Sequence, residues 1–369
     1  MTGTFALTFD TELIWGSFDY LSPDDFARRY RDERGTIDVV LRLLDQFEVG
    51  ATWAVVGHLF LPECNRDRFG VAHPELSARP RQSWRPGDWY AADPCTDRRR
   101  DPLWYGDDIL DALQATRTPQ EIGCHSFSHA LYGDPAMTRE AVDADLDACI
   151  ALAAARGIEL RSFVFPRNFE GHHQALQAHG FRAYRGANPS WHMGIRGPLG
   201  RATRLIDQLA ALPPSVSQPT ETIPGLWNIP ASALLIPRSG LYRAVPAASR
   251  MRKLRAGLRS AQETGGVFHL WTHPFNLTSD RRMMVALLEA VLRAAVEARD
   301  RGELAIEPMG AIAERVSEGT SVAAPKSAPL ATRSPSAVGV ASVEPDGSSN
   351  PHAKSSPSSA TSTNRSPAP

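Results

Sequence analysis

The chain has 369 residues, 42% of them hydrophobic and 22% charged, and its 40 basic residues balance 41 acidic ones. A nucleic-acid-binding protein usually carries a basic excess, and no stretch reaches the roughly 18 uninterrupted apolar residues of a membrane span. The four cysteines include no CxxC pair, so the sequence does not predict a disulfide framework or a thiolate zinc site.

The first ten residues, MTGTFALTFD, contain no basic n-region and reach an acidic residue at Asp10. These features do not match a signal peptide, so we expect a cytoplasmic protein. The same residues form the first of several short apolar segments that we predict to be β-strands.

Short apolar segments alternate with helical patterns along the chain. The predicted strands are residues 4–10, 51–56, 121–125, 162–165, 181–184, 226–230, 267–272 and 304–307. The predicted helices are residues 24–47, 107–116, 138–156, 169–179, 248–263 and 279–300. Strands that are almost wholly apolar and alternate with helices are typical of a parallel sheet covered by helices. About seven or eight such units favour an α/β fold of the distorted (β/α) TIM-like barrel type over an open sheet.

Three segments do not follow this alternation. Residues 62–106 contain six prolines together with Trp and Tyr residues, which indicates a long ordered insertion. Residues 187–225 are irregular. Residues 319–369 are rich in Ser and Pro and contain no aromatic residue, so we predict a folded domain over 1–318 followed by a disordered tail.

Polar residues at the predicted strand ends are the candidates for chemistry, because active sites of parallel barrels lie where strands enter their following loops. Asp10 and Glu12 end the first strand and should point to the same side, since side chains alternate along a strand. The alternative is that one acid caps the next helix and the other is solvated.

His125 and His129 follow the third predicted strand. If the chain turns helically there, histidines four apart share one face and suit a single metal ion. An HxxxH spacing alone is a weak indicator, but its position directly after an apolar strand strengthens it.

The strand at 267–272 carries His269 and is followed by His273. We interpret His269 as a hydrogen-bonded core residue and His273 as a site residue. Arg167 follows the strand at 162–165 and is a further candidate.

These motifs resemble, in order, those of the polysaccharide deacetylases of carbohydrate esterase family 4, which include chitin-oligosaccharide and peptidoglycan deacetylases. The similar segments are DTE at 10–12, VGATWAVVG at 49–57, EIGCHSFSH at 121–129 and LWTH at 270–273.

The resemblance implies a metal-dependent hydrolase, normally with Zn²⁺ or a similar divalent ion, acting on an acetylated saccharide. Carried onto this chain, it makes Asp10 the general base and His273 the general acid. Glu12, His125 and His129 become the metal ligands.

The chain departs from the family pattern at three motifs. The arginine that usually positions the base falls on Val164 when Pro166 is aligned, and Arg167 is our substitute for it. The acidic fourth motif has no clear counterpart; WNIP at 227–230 stands near the expected place. The first motif differs too, which leaves the roles of Asp10 and Glu12 interchangeable.

Two alternatives remain open: an amidohydrolase of the same scaffold acting on a small ureide-type amide, and a noncatalytic carbohydrate-binding barrel.

Overall fold

The computed structural model describes residues 2–187, 189–190, 194–195 and 197–322. The strands are β1 (Gly3–Thr11), β2 (Thr52–Val55), β3 (Glu121–Cys124), β4 (Ser162–Val164), β5 (Ala183–Arg185), β6 (Thr220–Ile223), β7 (Leu226–Asn228), β8 (Ala233–Leu234), β9 (Val267–Thr272) and β10 (Leu304–Ile306). The helices are α1 (Pro23–Arg29), α2 (Glu33–Phe47), α3 (Asp107–Gln114), α4 (Arg139–Ala155), α5 (His173–Ala178), α6 (Gly197–Ala210), α7 (Ala247–Thr264), α8 (Pro274–Leu277), α9 (Arg281–Asp300) and α10 (Met309–Val322).

The strands form one curled sheet in the order β6-β7-β5-β4-β3-β2-β1-β9-β8, and β10 pairs with β1. The strand pairs are parallel except for the antiparallel pair of β6 with β7. On one side β1 pairs with β9, and on the other side its first residues pair with β10 and its last residues with β2.

The segment between β7 and β8 connects the two ends of this curled sheet. The backbone N–H of Ala231 donates to the carbonyl of Gly186, beyond β5, at 3.0 Å. The backbone N–H of the next residue, Ser232, donates to the carbonyl of His269 on β9 at 2.8 Å. The predicted distorted (β/α) barrel is therefore confirmed.

Side chains of each strand alternate between the barrel interior and the surrounding helices, as extended backbone requires. Phe5, Leu7 and Phe9 of β1 belong to the large core under the helices, whereas Ala6 belongs to a small cluster inside the barrel. Met309 and other residues of α10 complete this interior cluster. Asp10 lies on the same face of β1 as Ala6, so its side chain points into the barrel.

Local signals explain where the long helices begin and end. Asp32, Thr138 and Asp280 precede α2, α4 and α9, and each side chain accepts a hydrogen bond from a backbone N–H of the first turn. Gly265 ends α7 with φ +69°, a conformation that favours glycine. None of the described helices is both long and apolar enough to cross a membrane.

The structure differs from the predicted elements in several places. The pattern at 24–47 forms two helices, because Asp32 adopts φ +56° between them. The irregular segment at 187–225 contains α6 and β6, and α10 was not predicted. The last helix extends to Val322, beyond the predicted domain end at residue 318. Residues 323–369, which make up most of the predicted disordered tail, lie outside the described part.

The insertion at 62–106 packs four of its aromatic residues against the rest of the fold. Trp89, Tyr90, Trp104 and Tyr105 are buried. The indole N–H of Trp89 donates to the carbonyl of Ser128 at 3.0 Å, which ties the insertion to the turn that follows β3.

Candidate active site

Asp10 and Glu12 at the end of β1 are both buried and direct their carboxylates to one side of the chain, as predicted. The imidazole Nε2 of His273, which follows β9, lies 3.8 Å from Asp10 Oδ2 and 3.5 Å from Glu12 Oε1. The structure thus brings two acids and a histidine from separate strand ends to one place.

Asp10 forms a buried ion pair with Arg185, the last residue of β5. The guanidinium Nη1 and Nη2 donate to the two carboxylate oxygens at 2.6 and 2.7 Å. Arg185 also donates to Thr8 Oγ1 at 3.1 Å and stacks over the Trp271 ring, 4.3 Å from its centroid. Such a bidentate ion pair fixes the orientation of the carboxylate.

Arg185 was not predicted from the sequence, and the predicted arginine takes a different partner. Arg167 Nη2 donates to the carboxylate of Asp19 at 2.6 and 2.7 Å. The structure therefore places Arg185, rather than Arg167, on Asp10.

Glu12, His125 and His129 form a compact group of potential metal ligands, with one atom of each within 4.8 Å of the others. Glu12 Oε2 lies 3.3 Å from His125 Nε2 and 3.0 Å from His129 Nε2. His125 Nδ1 donates to the carbonyl of Val164 at 2.7 Å, which leaves the Nε2 lone pair facing Glu12. A carboxylate and two imidazoles are ordinary ligands of Zn²⁺.

Gly16 leaves the space that the Glu12 carboxylate occupies. A Cβ at position 16 would lie 2.0 Å from Glu12 Oε1. The short turn Leu13–Gly16 after β1 therefore depends on glycine at this position.

The histidine pair lies on a turn rather than on a helix, which corrects the geometry assumed for the HxxxH spacing. Ser126 and His129 have φ values of +63° and +59°. The buried carboxylate of Asp145 on α4 accepts hydrogen bonds from the backbone N–H of Phe127 at 2.7 Å, from Ser126 Oγ at 3.2 Å and from the Tyr132 hydroxyl at 2.6 Å. Asp145 therefore holds the turn that presents both imidazoles.

The two histidines of the β9 segment have different surroundings. His269 is fully buried, its Nδ1 bonds to the carbonyl of Ile229 at 3.1 Å and its Nε2 to Thr8 Oγ1 at 3.2 Å. His273 is partly exposed, and its Nδ1 accepts a hydrogen bond from the Asn276 amide at 3.2 Å. With Nδ1 accepting, the ring proton is on Nε2, facing Asp10 and Glu12.

The environment sets the charge states of these groups. Burial raises the pKa of Asp10, but the Arg185 guanidinium, together with the nearby His273 and His125 imidazoles, holds the pKa below its usual value. Burial also opposes ionisation of Glu12, and the His129 and His273 imidazoles lower its pKa well below the ordinary range. Burial lowers the pKa of His129 despite its contact with Glu12. Ionised carboxylates and a neutral imidazole are the forms that bind a metal.

No family model matches the sequence, and no curated protein matches it significantly. Solved structures are similar in fold. A structure assigned to a polysaccharide deacetylase of Mycobacterium smegmatis superposes with a TM-score of 0.54 at 18% identity, over 91% of this chain and 96% of that one. Another, from Pseudomonas aeruginosa PAO1 and assigned to the same class, has a TM-score of 0.51 at 11% identity, over 85% of this chain and 90% of that one. The chain therefore has the fold of the polysaccharide deacetylases, a distorted (β/α) barrel.

Proposed function

We propose that the protein is a metal-dependent hydrolase that removes acetyl groups from an N- or O-acetylated saccharide. The observation that carries this proposal is the convergence of Asp10, Glu12, His125, His129 and His273 at the carboxyl ends of β1, β3 and β9. The fold supports the same conclusion, but the chemistry rests on these side chains.

Glu12, His125 and His129 would hold the ion, which we propose to be Zn²⁺. Three protein ligands are the arrangement of catalytic rather than structural zinc sites. A divalent cation at this position would lower the pKa of water and polarise the acetyl carbonyl. Because Glu12 faces both imidazoles and Asp10 faces Arg185, the structure favours Glu12 as the ligand and Asp10 as the base.

Asp10 would accept the proton of the attacking water. Its carboxylate is ionised because Arg185 lowers its pKa, and the two hydrogen bonds from the guanidinium fix its orientation. Arg185 is thus a positioning residue for the base.

His273 would donate a proton to the departing amine or alkoxide. For this step the ring must be an imidazolium: Nδ1 would carry a second proton toward the Asn276 amide, and Nε2, which faces the site, would give its proton to the leaving group and leave a neutral ring. The ring also stacks on Phe275, with centroids 4.6 Å apart, which restrains its rotation.

The saccharide would contact aromatic side chains beside the carboxylates. Trp84 of the insertion is 36% exposed and Tyr20 is 60% exposed, and both lie against the guanidinium of Arg167. Trp89, Tyr90, Trp104 and Tyr105 of the insertion are buried and serve packing instead. We therefore assign Arg167 to substrate contact together with Trp84 and Tyr20.

An acetate-release assay tests the proposal on the full-length chain supplied with Zn²⁺. Chitin oligosaccharides present N-acetyl groups, acetylated xylan presents O-acetyl groups, and a cyclic ureide represents the competing amidohydrolase activity. We expect acetate from at least one saccharide, and none from the His125→Ala variant. Ring opening of the ureide without release of acetate from either saccharide would contradict the proposal.

A further inference from the structure

A second group of potential metal ligands joins the insertion to the barrel. His58 lies in the turn Gly57–Phe60 after β2, whereas Cys64, His73 and Asp93 belong to the insertion. One ligand atom from each of these four side chains lies within 4.8 Å of the other three. None of them is part of the candidate active site.

Three of the separations between these ligand atoms are close to those of a tetrahedral site. Cys64 Sγ lies 3.6 Å from His58 Nε2 and 3.6 Å from Asp93 Oδ2, and Asp93 Oδ2 lies 3.1 Å from His58 Nε2. Ordinary zinc bond lengths place tetrahedral N and S ligands about 3.6 Å apart and N and O ligands about 3.3 Å apart. The pair of His73 Nε2 and Asp93 Oδ2 lies at the hydrogen-bond distance of 2.7 Å and would have to open on metal binding.

The imidazoles of His58 and His73 are each oriented by a hydrogen-bond acceptor at Nδ1. His58 Nδ1 bonds to the carbonyl of Trp104 at 3.0 Å, and His73 Nδ1 bonds to Glu75 Oε1 at 3.0 Å. With each Nδ1 donating outward, both Nε2 atoms face the same centre, and in neutral rings without Nε2 protons their lone pairs would be available to a metal, as in the outer-shell pattern of metal-bound histidine.

A cysteine-nucleophile relay does not explain the geometry. In such a relay one imidazole directs its two nitrogens at different partners, the nucleophile and the acid. Here Nε2 of His58 faces both Cys64 and Asp93. The four side chains converge on a point instead of forming a chain.

Charge also favours a cation at this point. The Asp93 side chain is completely buried, and within the described residues its potential charged partners are the His58 and His73 imidazoles, which carry a charge only when protonated. A buried carboxylate is costly unless its charge is compensated. Cys64 and His73 line a surface depression that gives an ion access from solvent.

We propose that His58, Cys64, His73 and Asp93 bind one Zn²⁺ ion as a closed structural site. Binding would form a Zn–S bond and release the Cys64 thiol proton to solvent. Four protein ligands leave no open position, so the role is structural.

The ion would attach the insertion to the segments that carry the candidate active site. The backbone N–H of His58 donates to the carbonyl of Phe127, between the two active-site histidines, at 2.7 Å. The His58 ring also packs on Trp15, three residues after Glu12, with centroids 4.5 Å apart.

Cobalt spectroscopy on the full-length chain tests this site independently of the proposed deacetylase activity. Glu12, His125 and His129 offer no sulfur, so a thiolate-to-Co²⁺ charge-transfer band in the near ultraviolet reports on the second site alone. We expect the band in the Co²⁺-loaded wild type and its loss in Cys64→Ser. Cys95→Ser, which removes a neighbouring thiol outside the group, is the matched control and should keep the band.

Elemental analysis should agree, with Cys64→Ser binding about one equivalent of zinc less than Cys95→Ser. The wild-type spectrum decides the matter even if a variant fails to fold, because a folded wild type without the band overturns the proposal. Persistence of the band in Cys64→Ser, or its loss in Cys95→Ser, would overturn the ligand assignment.

Discussion

Arg185 at the end of β5 donates through both terminal nitrogens to Asp10 at the end of β1, at 2.6 and 2.7 Å, and both side chains are buried. The two strands are far apart in sequence and are not neighbours in the sheet. The pair therefore spans the barrel interior, and it fixes the charge and direction of the proposed base.

Replacing Arg185 should change the pH dependence of the reaction. In Arg185→Met the buried Asp10 loses its cation, which should cost about 3–5 kcal/mol of stability. The pKa of Asp10 should rise, because the guanidinium is what holds it low, so the acid limb of the kcat/KM profile should move to higher pH.

Two further variants serve as controls for Arg185→Met. Arg185→Lys keeps the charge without the two-pronged geometry, so it should keep the acid limb low while turnover falls. Arg167→Met removes a guanidinium that pairs with Asp19 and should leave the acid limb in place. An acid limb that moves in Arg167→Met and not in Arg185→Met would refute the assignment.

Gly16→Ala should disturb Glu12 without removing any functional group. The new Cβ would lie 2.0 Å from Glu12 Oε1, so the carboxylate must move. Misplacing a reacting group by about 1 Å can lower the rate by about 10²-fold. We expect the zinc affinity at Glu12, His125 and His129 to fall as well.

Gly319→Ala is the matched control, because no atom lies within 4 Å of the Cβ it adds in α10. The acetate-release rate and the zinc affinity of this control should equal those of the wild type. Wild-type values for both measurements in Gly16→Ala would show that the space at Gly16 is not needed.

Asp145 should be essential to the histidine turn. Asp145→Ala leaves the Phe127 N–H, the Ser126 hydroxyl and the Tyr132 hydroxyl without their acceptor, and unsatisfied buried groups cost about 1–3 kcal/mol each. Asp145→Asn retains one oxygen and should be milder. Equal urea midpoints for Asp145→Ala and the wild type would contradict this role.

The same carboxyl should make stability depend on pH. Burial raises the pKa of Asp145 from 3.8 to about 6, although three hydrogen bonds oppose the shift. Between these values the folded state keeps a proton that the unfolded chain releases, so this group's contribution to stability falls as pH rises, by at most about 1.4 kcal/mol per pH unit.

Urea unfolding of the wild type and Asp145→Asn, compared from pH 4.5 to 7, isolates this contribution. The stability of the wild type relative to the variant should decrease up to about pH 6 and then level off. A constant difference would mean that Asp145 has an ordinary pKa in the folded protein.

The sequence allowed the barrel and most of the site to be predicted because both depend on local patterns. Buried parallel strands read as short apolar segments, and polar residues at their ends mark the edge where sites form. Asp10, Glu12, His125, His129 and His273 all follow that rule.

Arg185 was missed because the predicted strand ended at Tyr184, one residue too early. Alternation places Ala183 and Arg185 on the inner face, and Ala183 does belong to the interior cluster. A strand end is the least certain part of such a prediction. Extending the predicted strand by one residue would have placed Arg185 on the inner face, where it contacts Asp10.

The second ligand group could not be predicted from spacing. His58, Cys64, His73 and Asp93 are separated by unequal intervals and form no recognisable motif. The folded insertion brings them together through long irregular segments, whose path is set by tertiary packing and not by local periodicity.

Zinc content and acetate release, measured together on His125→Ala and His273→Ala, address the proposed mechanism most directly. His125→Ala should lose one equivalent of zinc relative to the wild type and nearly all activity. His273→Ala should keep that zinc and lose turnover by about 10²–10⁴-fold on an amide, with a smaller loss on an activated acetyl ester that needs little protonation. If His273→Ala loses the same equivalent of zinc as His125→Ala, His273 is a metal ligand and the proposed division between metal binding and proton donation is wrong.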